Sequence, residues 1–249
     1  MRIRIATRDD IPAAGAIMAA AYIDDEQDAY MFPGRKKYPK KYSRTKESIV
    51  RHGMDDPTGT TIVAELEEGD DGWTGQSELM GLCIWYRDQE KGDEKAKEPE
   101  TKEPLLKSKS PSVPSIIPLP GLEAVDYMTD MLDPLTSASN AATMARTCRL
   151  PSSKRYFGTD PGDCAMYGIM DIAVDPRYQG RGVAKELVKW GMNKAAEEGV
   201  PIELSATPAG SGLYEKLGFK KIGVWRWKPG MEGEDGMGGW DIMWWQKDQ

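Results

Sequence analysis

Residues 171–184 join an apolar strand sequence to a glycine-rich turn that opens a helix. The first turn of a helix leaves N–H groups without intrahelical partners and carries the positive end of the helix dipole, and phosphate oxygens satisfy both. Gly180 and Gly182 lack the Cβ atoms that would hold a ligand away. Arg181 adds positive charge, and Ala184 keeps the first helical turn narrow. The sequence therefore predicts an anion site at this turn.

Two familiar phosphate motifs do not fit this turn. The sequence contains no G-x-x-x-x-G-K-S/T, and the glycine spacing is not G-x-G-x-x-G, so nucleotide hydrolysis and dinucleotide binding lose support. The pattern that fits is Q/R-x-x-G-x-G/A, formed by Gln179, Gly180, Arg181, Gly182, Val183 and Ala184. A second segment, residues 213–219, reads L-Y-E-K-L-G-F and follows the first motif at a fitting distance.

Together the two motifs resemble those of the GCN5-related N-acetyltransferase (GNAT) superfamily, in which L-Y-x-x-x-G-F follows the acetyl-CoA motif. The resemblance covers about residues 168–227 and is weaker over residues 1–87. It implies an α/β (α+β) fold: a central mixed, mostly antiparallel sheet with a splayed cofactor-binding strand, flanked by helices. It also implies acetyl-CoA (coenzyme A) as the acyl donor.

The resemblance assigns roles to particular residues. The backbone of Ile172, Ala173 and Val174 would pair with the pantetheine arm, and the N–H groups of residues 179–184 would bind the pyrophosphate. Tyr214 matches the family tyrosine that protonates the departing CoA thiolate, while a core tyrosine is the structural alternative. The asparagine often found before that tyrosine is absent, and Ser211 is the candidate that replaces it as a pantetheine contact.

The general base has more than one candidate. Many relatives carry a glutamate at the position of Ser205, whereas this chain has Glu203 two residues earlier, on the same face of a strand. Asp171 is a second candidate, although it could face away from the cleft. Gly168 stands where other relatives carry the base, which excludes that version, and a water relay is a further alternative.

Aromatic and acidic side chains predict an acceptor pocket for a cationic or aryl amine. These residues are Tyr22, Asp24, Asp25, Glu26, Tyr30, Phe32, Trp225, Trp227, Trp240 and Trp244. The leading hypothesis is an N-acetyltransferase that acts on a primary amine of a small molecule. The alternatives are a protein or peptide N-acetyltransferase and a non-catalytic acyl-CoA-binding module.

Length and composition define the remaining expectations. The 249 residues predict a single acetyltransferase domain with a loop and helical insertion at about residues 88–156. The net charge of −7 argues against nucleic-acid binding, and no apolar run suits a membrane span or signal peptide. Three cysteines without C-x-x-C spacing and one histidine argue against a metal site. We therefore expect a reduced, cytoplasmic monomer or homodimer.

Periodicity predicts the elements that carry these residues. The expected strands are residues 2–6, 60–66, 79–86, 166–174, 200–206, 219–227 and 240–246. The expected helices run from residue 11 to about 23 and over residues 42–52, 185–198 and 211–217. Within the insertion we expect a mobile loop at 90–115 and two helices at 121–132 and 137–148.

Overall fold

The computed structural model describes residues 1–88, 135–137, 140, 165–226 and 239–247. These residues contain one seven-stranded sheet with the strand order β1-β2-β3-β4-β5-β7-β6. Its strands are β1 (Arg2–Ile5), β2 (Gly59–Glu65), β3 (Leu79–Asp88), β4 (Met166–Val174), β5 (Ile202–Ala206), β6 (Lys220–Trp225) and β7 (Trp240–Trp245). Every neighbouring pair is antiparallel except β4 and β5, so the predicted mixed, mostly antiparallel sheet is confirmed.

Five α-helices flank the sheet in the described part of the chain. They are α1 (Ile11–Ala21), α2 (Glu26–Met31), α3 (Pro39–Asp55), α4 (Val183–Glu198) and α5 (Ser211–Lys216). On one face, α1 and α3 bury Met18 and Val50 against Ile84. On the other face, α4 buries Leu187 and Val188 against Trp85. No described helix has the length and apolar character that crossing a bilayer would require.

The strand β4 separates from β5 after a short contact. The two strands pair only at Tyr167 with Ile202 and at Gly168 with Glu203. Along its other edge, β4 stays paired with β3 as far as Val174. Among the described residues, the backbone of β4 beyond Gly168 therefore has an edge without a strand partner, which is the predicted splay. Main-chain groups on such an edge are available to a ligand.

Most predicted elements are confirmed, and two differ in the N-terminal half. The helix α3 begins at Pro39 instead of residue 42, because proline is well tolerated in the first turn of a helix. The short helix α2 was not predicted, and its first turn is capped by the Asp25 carboxylate, which accepts from the Asp28 N–H. The predicted insertion elements at 90–115, 121–132 and 137–148 lie outside the described residues, apart from residues 137 and 140.

Candidate active site

The glycine-rich turn adopts the geometry that glycine alone takes readily. Gly180 and Gly182 have φ angles of 75° and 84°, in the left-handed region. A Cβ atom added at either position would meet nothing within 4 Å, so open space lies beside both glycines. Gly182 is the residue before α4, whose first N–H groups have no helical partner. This arrangement fits the pyrophosphate of a CoA molecule.

Side chains around the turn make contacts within the protein. The Arg181 guanidinium lies 3.1 Å from an Asp71 carboxylate oxygen and 5.3 Å from the centroid of the Tyr178 ring. The Gln179 amide donates to the Val174 carbonyl at 3.1 Å. The Val183 side chain is buried in the core below. The main-chain amides, rather than these side chains, are therefore the groups directed at an anion.

The three β4 residues expected to pair with pantetheine do not all face the open edge. The Asp175 N–H donates to the Met80 carbonyl, and Ala173 lies opposite Leu82 in the same ladder. Because backbone groups alternate in direction along a strand, those of Ala173 point towards β3 and those of Ile172 and Val174 point away from it. Ala173 is therefore a correction to the sequence-based assignment. The Ile172 carbonyl accepts from the Tyr22 hydroxyl at 2.7 Å.

Tyr214 is buried on α5, where its ring packs edge-on against Phe219 at 5.5 Å between centroids. Burial, with a smaller effect of Cys83, raises the pKa of the phenol well above its usual value. The hydroxyl is therefore protonated at neutral pH and can donate a hydrogen bond or a proton. It also lies close enough to Tyr22 to influence the ionisation of that residue.

Glu203 lies at the last point where β4 and β5 pair. Burial, with a contribution from Asp88, raises the pKa of its carboxyl to about 7. The residue is half-buried, and among the described residues its carboxylate makes neither a hydrogen bond nor an ion pair. A carboxyl that titrates near neutral pH and is not engaged elsewhere is suited to act as a general base.

Asp171 lies on the same side of the sheet as Ile84, its partner in β3, and therefore faces α1 and α3. Asp171 therefore points towards the helices that border the acceptor side, and not away from the cleft. Burial raises the pKa of its carboxyl to about 6, while Lys46 and the nearby Tyr22 hydroxyl oppose that rise. Asp171, Tyr22 and Tyr214 are thus brought together beside the splayed part of β4.

Comparisons with known proteins agree with this geometry. A family model described as an acetyltransferase (GNAT) domain matches residues 153–221. A protein of Stachybotrys chartarum named acetyltransferase is 22% identical over 223 residues, which is 89% of this chain and 81% of that protein. These two matches support the GNAT superfamily and an acyltransferase enzyme.

Solved GNAT structures share the fold at low sequence identity. A Corynebacterium glutamicum protein, described as histone acetyltransferase HPA2 and related acetyltransferase, is 16% identical with a TM-score of 0.54, covering 99% of this chain and 96% of that one. An arylalkylamine N-acetyltransferase-like protein from mosquito is 17% identical with a TM-score of 0.53, covering 99% of both chains. An agmatine N-acetyltransferase is 12% identical with a TM-score of 0.52, covering 98% of this chain and 96% of that one.

The expected acceptor pocket needs correction at its acidic end. Asp24 is exposed and pairs with Lys36 at 2.5 Å, and Asp25 caps α2. Tyr22 and Phe32 instead surround Lys46, whose ammonium is 4.9 and 5.2 Å from their ring centroids. The chain therefore fills this acidic and aromatic enclosure with its own cation.

Tryptophans from the C-terminal strands lie at the other end of the expected pocket. Trp244 is opposite Glu203 across the β5–β7 pair, so the two side chains share a face of the sheet. Trp225 and Trp240 pack edge to face at 5.6 Å. Trp227 lies outside the described residues. Of these tryptophans, Trp244 lies beside a candidate catalytic group, because the strand register places it opposite Glu203.

Ser211 is the first residue of α5, and its hydroxyl is engaged within the protein. It lies 3.1 Å from the Thr207 carbonyl and 3.0 Å from an Asp241 carboxylate oxygen. A hydroxyl has one proton to donate, so donation to either acceptor leaves none for a ligand. A pantetheine contact from Ser211 would therefore use an oxygen lone pair.

Sequence reasoning did not single out Tyr86 or Lys46. The Tyr86 ring lies over Gly168, in the cross-strand row that continues to Glu203. Lys46 shares the buried side of α3 with Tyr42, Val50 and Gly53, at helical spacing. That spacing is visible in the sequence and could have indicated a buried lysine. The position of Tyr86 depends on a strand register that the sequence does not reveal.

Replacing Gly168 with alanine is expected to destabilise the protein. The new Cβ would overlap the Tyr86 ring, so the ring or strand must shift, at a cost of about 1–3 kcal/mol. Gly212→Ala is the matched control, since its Cβ would meet nothing within 4 Å and alanine favours a helix. Denaturant unfolding compares the two variants. Equal stability of Gly168→Ala and wild type would contradict the close Tyr86 contact.

Proposed function

We propose that this chain is an acetyl-CoA-dependent N-acetyltransferase that transfers an acetyl group to a primary amine of a small molecule by direct attack. The observation that carries the proposal is the unpaired edge of β4, with the glycine turn at one end and Glu203 at the other. We further propose that residues 1–249 form one acetyltransferase domain with an insertion at about 88–156. The family match at 153–221 supports the domain type.

The donor site would be built from main-chain groups. We propose that residues 179–184 bind the pyrophosphate through their N–H groups, and that Ile172 and Val174 direct backbone groups towards the pantetheine arm. The positive φ angles and the open space at Gly180 and Gly182 support the first assignment. The alternation of β4 supports the second. Bound acetyl-CoA would supply the thioester whose acetyl carbon the amine attacks.

Glu203 and Tyr214 would move the two protons of the reaction. An acceptor that arrives as an ammonium first loses one proton to solvent, and as the bond between the neutral nitrogen and the acetyl carbon forms, Glu203 accepts a proton from the amine and later releases it to solvent. As the carbon–sulfur bond breaks, Tyr214 donates its proton to the thiolate, and solvent then returns a proton to Tyr214. The raised pKa of Tyr214 supports its role as a donor. The pKa of about 7 for Glu203 supports its role as an acceptor at neutral pH.

The nature of the site supports an amine acceptor. Glu203 provides a carboxylate without a described cationic partner, and Trp244 provides an aromatic surface on the same face of the sheet. Carboxylates and aromatic faces both attract ammonium groups. Two of the structural neighbours are described as acting on arylalkylamines and agmatine, which makes these amines the first acceptors to test.

The Glu203→Gln variant tests the proposed base. We expect kcat/KM to fall by about 10²- to 10⁴-fold, the range typical of general-base catalysis. In the wild type, kcat/KM should rise as pH passes through about 7, because the pKa of Glu203 lies there and the base acts when deprotonated. An aryl amine of low pKa is the suitable acceptor, since it does not titrate in this range.

The matched control for this experiment is Glu215→Gln, at an exposed position on α5. It removes one carboxylate near the site without touching β5, so activity and its pH dependence should be unchanged. Assignment of the base to Glu203 would be wrong if Glu203→Gln kept both the wild-type rate and the wild-type rise near pH 7.

A further inference from the structure

Lys46 is an unusual lysine because its ammonium is enclosed by the protein. Its side chain is 3% exposed, and Nζ lies 2.5 Å from an Asp28 carboxylate oxygen. The ring centroids of Tyr22, Phe32 and Tyr42 are 4.9, 5.2 and 5.3 Å from Nζ. An ion pair within three aromatic faces fixes this charge in place, since each ring attracts the cation and water is excluded.

Tyr22 connects this enclosure to the strand β4. One face of its ring contacts the Lys46 ammonium, and its hydroxyl lies 2.7 Å from the Ile172 carbonyl on the splayed edge. Asp171 is the neighbour of Ile172 and lies on the side of the sheet that carries α1 and α3, where the Tyr22 hydroxyl is close enough to its carboxyl to lower its pKa. The buried cation is therefore one side chain away from the proposed acyl-transfer site.

The charges around Asp171 are mostly negative. Lys46 on α3 is the cation that acts on its carboxyl, whereas Asp28 and Asp25 repel a second negative charge there. Three neutral groups also face this region: Tyr22 after α1, Cys83 on β3 and Tyr214 on α5. Loss of hydration opposes ionisation of Asp171, so a nearby fixed cation is needed to hold it charged.

We propose that Lys46 is a positioning residue of the acyl-transfer site, an internal ammonium that holds Asp171 ionised and Tyr22 against the cofactor strand. Lys46 acts through these two residues and does not contact the reactants. The inference about charge stands on the enclosure itself, and its connection to acyl transfer rests on the proposed function. It also explains why the aromatic residues near α2 are not available to the ammonium of an acceptor.

The test is a pH titration of the Asp171 carboxyl by carbon NMR of aspartate-labelled protein, with Asp171→Asn used to assign the signal. In Lys46→Met the titration should move to higher pH by at least one unit, because the stabilising cation is lost. In Asp28→Asn it should move to lower pH, because a repelling carboxylate is lost. Lys40→Met is the control, an exposed lysine on the same helix, and should leave the titration unchanged.

Shifts in opposite directions would not arise from general loosening of the fold. The proposal is overturned if the Asp171 titration is unchanged in a folded Lys46→Met protein, or if both variants shift it in the same direction. Should Lys46→Met fail to fold, Lys46→Gln takes its place: a shift of the Asp171 titration to higher pH supports the proposal, and no shift or a shift to lower pH overturns it.

Acetyl transfer provides a separate readout. If the proposed function is correct and transfer requires an ionised Asp171, Lys46→Met should add a second ionisation to the acidic side of the kcat/KM profile, beside that of Glu203 near pH 7, and Lys40→Met should not. An absence of turnover in the wild type with every acceptor would contradict the proposed function. The NMR shifts would still test the role of Lys46. Failure of the proposed function and failure of the Lys46 proposal are therefore distinguishable.

Discussion

Gly182→Trp is expected to abolish acetyl-CoA binding, with a loss of affinity of more than about 100-fold, equivalent to over about 2.8 kcal/mol. The indole would extend into the open space beside the turn, where the first N–H groups of α4 are directed. The φ angle of 84° adds backbone strain, since a side chain disfavours the left-handed region. Isothermal titration calorimetry with acetyl-CoA measures the effect.

The matched control is Gly199→Trp, at the other end of the same helix. Gly199 has a φ angle of 69° and is also surrounded by open space, so backbone strain and the added surface are comparable. We expect a similar loss of stability with unchanged acetyl-CoA affinity. Normal binding by Gly182→Trp, or equal loss of binding in both variants, would contradict a phosphate site at the turn.

Tyr214→Phe is expected to lower kcat by about 10²- to 10³-fold, as the loss of a proton donor typically does. The phenol is buried and neutral, so its removal takes away a proton donor that is held in place beside the thioester in the proposed mechanism. Acetyl-CoA affinity should change little, because the ring and its edge-on contact with Phe219 remain. Steady-state kinetics and calorimetry on the same preparation separate the two effects.

Tyr167→Phe is the control for loss of a tyrosine hydroxyl. Tyr167 donates to Glu198 at 2.5 Å and packs in the core on the α4 side of the sheet. Its replacement should cost about 1 kcal/mol of stability, typical of one hydrogen bond, and leave kcat unchanged. If Tyr214→Phe has the same kcat as Tyr167→Phe, Tyr214 does not act as the proton donor.

The fold was largely predictable because its elements have strong local signals. The strand β4 runs from Met166 to Val174 as expected, since an apolar run ends there at Asp175 and Pro176. The glycines at 182 and 199 bound α4 because both adopt left-handed φ angles. The helix α2 was missed because six residues give too little periodicity to recognise.

The candidate site was predictable only where it is local in sequence. The glycine turn is six consecutive residues, so its shape follows from its own composition. Arg181 was expected to add charge for the ligand, but its guanidinium contacts Asp71, a partner more than 100 positions away. Ala173 was wrongly assigned to the ligand. The direction of its backbone groups depends on its pairing with β3, which the sequence does not reveal.

Lys46 and Tyr86 show why the remainder of the site needed a structure. The helical spacing of Lys46 with Tyr42 and Val50 indicates the buried side of α3, but the sequence does not show the arrangement of Asp28 and three rings that makes burial of a lysine favourable. Tyr86 lies over Gly168 because the β3–β4 register shifts between Ile84 and Trp85. An irregularity of this kind reverses which face a side chain occupies and is not visible in periodicity.

The most direct test of an acetyl-CoA-dependent N-acetyltransferase is release of free CoA from acetyl-CoA by the purified protein. The acceptors should include arylalkylamines, agmatine, polyamines, amino sugars and a lysine peptide, with acetyl-CoA affinity measured in parallel. We expect acceptor-dependent release with a small primary amine and little with the peptide. Binding without release for every acceptor would contradict catalysis, and the absence of acetyl-CoA binding would contradict the assignment of residues 179–184.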